Sequence, residues 1–185
     1  ARKPWDNCVL EDDLSRKYLD AGESAPYPPS PAWPRYKEDP IGSMLRDGRL
    51  DFKLVGNLYR EGIVDQENPE PLLAKLQAIV DAHPADAVYK VNLILALIHI
   101  GFEDEAFKKI EAYKGEEWFQ QNWDANFFAG TLYFRHRRFA EAVPFLQAAY
   151  TLNPTPWAGL WLQQAVAGSG GVPPGEPLFP FGPHM

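Results

Sequence analysis

Histidine is the side chain best suited to proton transfer and metal ligation near neutral pH. This chain holds four: His83, His99, His136 and His184. They fall on separate segments, and no HxxxH or CxxC spacing sets two donors side by side as a metal site needs. A single cysteine, Cys8, excludes an internal disulfide framework. Acids cluster at Glu11–Asp12–Asp13, Glu103–Asp104–Glu105 and Glu116–Glu117, the kind of grouping that general acid–base chemistry uses. The central cluster opens a helical pattern, where carboxylates complement the helix dipole, and the other two are read the same way. No glycine-rich phosphate loop follows a strand pattern and no nucleophile elbow occurs. The expectation is a protein that is not an enzyme and that has no cofactor and no metal-ligand set.

The one basic cluster is Arg135–His136–Arg137–Arg138. At the end of a helix its charges complement the carbonyl dipole. The alternative is a patch of Arg135, Arg137 and Arg138 for an acidic partner segment, since guanidinium groups pair carboxylates bidentately. A formal net charge of −7 argues against nucleic acid as the partner.

Which elements carry these residues is clearest between Trp123 and Pro154. Phe127, Gly130, Tyr133 and Phe134 recur at spacings of three and four, as do Phe139, Ala142, Phe145, Leu146 and Ala149. Each set makes one apolar stripe, so the stretch predicts two helices joined by a tight turn. Gly130 and Ala142 are small enough to let the backbones approach, and Pro154 ends the pair. The arrangement resembles a tetratricopeptide repeat, a helix-turn-helix unit with small and large residues in fixed order and a closing proline. Gly130, Tyr133, Phe139, Ala142, Ala149 and Pro154 occupy the characteristic positions. Asn126, Arg137 and Leu146 depart from it, standing where tryptophan, glycine and an aromatic are usual.

Other segments extend the pattern. Helices are expected over residues 50–60, from Asn68–Pro69 to Pro84, over 85–100 up to Gly101, and from Glu103 to Tyr113. Ala106 and Ala142 lie 36 residues apart, near the family's period of roughly 34. The surplus is placed in the turn around Lys114–Glu117, and Pro84 plays the part of Pro154. That makes one clear repeat, one fair one and one degenerate one, with residues 156–166 as a capping helix. The fold expected is all-α, a tetratricopeptide-like α-solenoid over residues 50–167, with proline-rich arms at residues 1–49 and 168–185.

In the first arm, residues 9–19 could form a short helix. Beyond them Pro26, Pro28, Pro29, Pro31, Pro34 and Pro40 are expected to forbid a helix and impose an extended path. Tyr27, Trp33 and Tyr36 between them suggest a strap anchored on a surface, either this domain's or a partner's; a loose tail is the alternative. The C-terminal arm carries Leu178, Phe179 and Phe181 among prolines, which fits a docking tail or an appended peptide equally. A chain starting at Ala1 fits a trimmed chain, loss of an initiator methionine, or removal of a targeting segment. The most apolar stretch, residues 88–100, is too short to cross a bilayer and is interrupted by Lys90, Asn92 and His99.

The resemblance implies binding of a protein partner, because the fold has no chemistry of its own. In such repeats the first helix of each pair lines an inner groove. Carried over, that gives Val88, Val91, Leu95 and Ile98, then Asp124, Phe127, Thr131 and Phe134, with Leu54, Asn57 and Glu61 from the degenerate repeat. Relatives that hold acidic chaperone C-termini use lysine and asparagine there; this mostly apolar row implies an extended apolar segment instead. The alternative register turns these residues into the packed core. Two roles follow: a scaffold whose groove holds a partner, or a structural subunit of a larger assembly anchored by its N-terminal strap.

Overall fold

The computed structural model describes residue 30 and residues 32–171, which form ten helices and no strand. The chain divides into two compact units, with the boundary between Ala106 and Phe107. The expected helix over residues 9–19, the anchor Tyr27 and the tail residues Leu178, Phe179 and Phe181 lie outside the described residues.

Unit 1 begins with two short helices that overturn the expected extended path, α1 (Trp33–Glu38) and α2 (Pro40–Asp47). The prolines do not block them because Pro34 falls within the first turn of α1 and Pro40 at the first position of α2. A first-turn N–H has no helical partner to lose, and proline's fixed φ already suits the helix. Asp39 caps α2 by accepting from the Gly42 N–H at 3.1 Å. Gly48 ends it at φ 66°, a left-handed conformation that costs a residue with a Cβ about 1–2 kcal/mol. Trp33, Tyr36, Met44 and Leu45 are all buried.

Three longer helices complete the unit: α3 (Phe52–Arg60), α4 (Glu70–Ala82) and α5 (Ala87–Ile100). Residues 91–97 of α5 are buried without interruption. A helix apolar on every side belongs in the middle of a core, and α2, α3 and α4 all pack against it. The hydroxyl of Tyr59 on α3 donates to the Ile100 carbonyl at 2.6 Å, tying α3 to the C-terminus of α5.

α6 (Glu103–Tyr113) crosses the boundary between the units. Unit 2 continues through α7 (Glu117–Gln120), α8 (Trp123–Arg135), α9 (Phe139–Leu152) and α10 (Pro156–Gly168). α8 and α9 form the expected hairpin, α10 packs on both, and α7 packs on α8. A Cβ added to Gly130 would stand 2.5 Å from Leu146 Cγ and 3.2 Å from the Leu146 backbone nitrogen, so the two helices meet at a spacing that only glycine permits. Where a plain turn was expected at Lys114–Glu117, the chain goes on into α7. Asn126 holds it there, donating to the Phe119 carbonyl at 2.7 Å and the Asn122 carbonyl at 2.8 Å. Pro144 lies inside α9, beyond the first turn, on the exposed side.

One pattern recurs. Asp51, Asp86 and Asn122 cap α3, α5 and α8, each side chain accepting a backbone N–H of the first turn. These caps are 35 and 36 residues apart. The same helices end alike: a left-handed residue (Gly62, Gly101 or Arg137) with paired backbone bonds closing the last turn. In α8 the Arg137 N–H donates to the Phe134 carbonyl at 2.8 Å and the Arg138 N–H to the Tyr133 carbonyl at 3.0 Å. In α5 the N–H groups of Gly101 and Phe102 reach Ile98 and Leu97 in the same order.

Candidate partner-binding surface

The expected groove residues divide between the units. In unit 1, Val88 is 56% exposed and Ile98 half-buried, whereas Val91 and Leu95 belong to the continuously buried stretch of α5. Those two side chains serve the core of unit 1 and are not open to a partner. Of the strap anchors, Trp33 and Tyr36 are buried within unit 1, and the Tyr36 hydroxyl donates to the Ser43 carbonyl at 3.3 Å. Burial raises the Tyr36 phenol well above its usual range.

In unit 2, Phe127, Thr131 and Phe134 are each half-buried along one face of α8. The structure adds neighbours that the sequence reading did not include. Trp123 stacks on Phe127 with ring centres 4.6 Å apart, and Trp161 of α10 meets Phe134 edge-on at 4.9 Å. Phe139 closes on Phe134 at 5.0 Å. Trp157, one turn before Trp161, is 68% exposed, and Leu152 at the end of α9 is 43% exposed. Among the described residues the Trp123 Nε1 is a buried donor with no hydrogen-bond partner. Buried donors are nearly always paired, so an indole N–H without an acceptor calls for a reason. Spacing could have found two of these residues: Trp123 precedes Phe127 by four positions, and Trp157 precedes Trp161 by four.

The basic cluster is built into the unit. Arg138 grips Glu141 with two bonds, at 2.7 and 2.5 Å, while its guanidinium lies 4.5 Å from the centre of the Tyr133 ring and 5.1 Å from that of Phe107. His136 packs edge-on against Phe107 at 5.0 Å. Tyr133 donates its hydroxyl to Glu111, which also takes a 2.6 Å bond from Lys114. These donors, Lys114 first and Tyr133 second, hold the Glu111 carboxyl below its ordinary pKa; Arg138 does the same for Glu141. Burial, then Glu111, pushes the Tyr133 phenol far up. Arg138 is thus matched inside the unit, while Arg137 is exposed and Arg135 lies at the exposed end of α8.

Among the described residues the histidines lie apart from one another. His83 stacks on Tyr89 at 4.2 Å, His99 sits on the turn of α5 that contains Leu95, and His136 lies against Phe107. Among the described residues no three metal-binding side chains converge. The acids Glu103, Asp104 and Glu105 occupy the first turn of α6, where the dipole favours them. No described helix is long and apolar enough to cross a membrane. No family model, curated protein or solved structure matches this chain.

Proposed function

We propose that this chain is a non-enzymatic interaction scaffold assembled from tetratricopeptide-like helical pairs, and that it holds an extended apolar segment of a protein partner against α8 and α10. The observation that carries the reading is the aromatic surface of unit 2. The half-buried Trp123, Phe127, Phe134 and Trp161 and the exposed Trp157 offer flat apolar faces. Extended and proline-rich segments bind this way, laying apolar side chains on aromatic rings. The repeated caps and left-handed helix ends support the repeat architecture, as does the α8–α9 hairpin with α10 against it.

The test is an array of extended apolar and proline-rich peptides probed with the full chain and followed by tryptophan fluorescence. Wild type is expected to retain a subset of peptides with a change in indole emission. Trp157→Ala should weaken those complexes about tenfold, a loss of 1.4 kcal/mol, as expected for one exposed aromatic contact. Phe134→Glu should abolish them. Equal binding by the folded Trp157→Ala and Phe134→Glu proteins would remove the surface from consideration.

A further inference from the structure

Asn57 of α3 and Asn92 of α5 stand at equivalent places, each six residues after its helix's capping aspartate, Asp51 or Asp86. Both are buried, and buried amides must be matched by partners. In each case the partner is backbone from the segment that precedes α3. The Ser30 N–H donates to Asn57 Oδ1 at 3.3 Å, and the Ser30 hydroxyl donates to Asp51 at 3.2 Å. Asn92 Nδ2 donates to the carbonyls of Leu45 at 2.6 Å and Arg46 at 3.0 Å. Those carbonyls belong to the last turn of α2, which has no helical donors of its own for them. Around these polar contacts, Met44 and Leu45 are fully buried, and α2 lies on α4 and α5.

Backbone recognition does not depend on the side chains of the segment recognised. What Asn92 requires is the open end of a helix, and what the surrounding face requires is an apolar pair one turn before that end. Gly48 completes the fit: a Cβ there would come within 2.4 Å of Asn92 Oδ1. The requirement is therefore for a short helix closing on glycine, with apolar residues three and four places earlier.

We propose that Ser30 to Gly48 is a built-in occupant of a peptide-binding face on α3 and α5, held in place through Asn57 and Asn92 and replaceable by a partner helix of the same kind. The idea goes beyond the function proposed above and makes no use of the aromatic surface of unit 2. At the matching position of α8, six residues after Asn122, the chain has Phe128.

Two experiments decide it. In the first, a fluorescent peptide of residues 30–48 is titrated into the full chain and into a Met44→Asp/Leu45→Asp variant, which releases the arm from its own side and leaves the receiving face intact. The variant is expected to bind the peptide at least tenfold more tightly than wild type, and adding Asn92→Leu should weaken that binding about tenfold. A folded variant that ignores the peptide, or a wild type that binds it equally well, overturns the proposal. The second is hydrogen exchange on wild type, which needs no variant to fold. Amides of α1 and α2 are expected to exchange at least tenfold faster than those of α5, through an opening that leaves α5 closed. Equal rates would make the arm part of one cooperative core and overturn the proposal. Either failure leaves the peptide array on α8 and α10 unaffected.

Discussion

Arg137 holds a left-handed backbone at φ 58° in the place where the two preceding helical ends of the same type use glycine. Arginine is strained there and its side chain is exposed, so the conformation rather than any contact sets its cost. Arg137→Gly is expected to stabilise the protein by about 0.5–1 kcal/mol, the relief being partly offset by the freedom glycine gains in the unfolded chain. A higher urea midpoint at unchanged slope would register it. Titration gives a second prediction at this scale. Glu111 and Glu141 have folded pKa values below their ordinary ones, so their contribution is present above the ordinary carboxylate range and is lost as pH falls through the folded values. Stability measured downward from pH 6 should fall less steeply in Glu111→Gln/Glu141→Gln than in wild type. The difference should stay within about 1 kcal/mol, because both carboxylates are solvent-screened. Identical slopes would mean that the pairs contribute nothing in solution.

At the scale of elements, two glycines act as spacers of different kinds. Gly130 fixes the closest approach of α8 and α9, and Gly130→Ala is expected to cost about 1–3 kcal/mol by overpacking. Gly48 combines a left-handed φ with contact to Asn92, so Gly48→Ala should raise the exchange rates of α1 and α2 amides more than those of α8. Uniformly raised rates would count against that local effect. The elements also show where sequence was readable. The stripes through Leu72, Leu76 and Val80, or through Ala142, Leu146 and Ala149, are periodic, and they are buried as helical periodicity requires. α1 and α2 were hidden because the number of prolines does not say which turn each one occupies, and Pro34 and Pro40 both fall in first turns. α7 is a single turn of four residues, too short to carry any period.

For the whole molecule, periodicity was enough to predict that the described residues are all-helical, and the 36-residue spacing of Ala106 and Ala142 equals that from Asp86 to Asn122 and from Gly101 to Arg137. The proposed binding surface was only half legible. Phe127 and Phe134 could be named from one helix, but Trp161 joins them from another, and such a meeting is written in packing rather than in local spacing. Val91 and Leu95 were assigned to a groove by resemblance; a single helix apolar on every side gives no sign of which face stays open, and here both are buried. Likewise nothing in the run around Asn92 signals that its amide closes the end of a helix 46 and 47 residues earlier.

That separation has a consequence in time. During synthesis α2 leaves the ribosome well before the asparagine that receives it. At roughly 5–20 residues per second the wait is about 2–9 s. Throughout that interval Met44 and Leu45 have no α5 to lie against, and the nascent arm presents a bare apolar edge to whatever chaperone or neighbouring chain is within reach. Two side chains that end up fully enclosed in unit 1 are, at birth, without their cover.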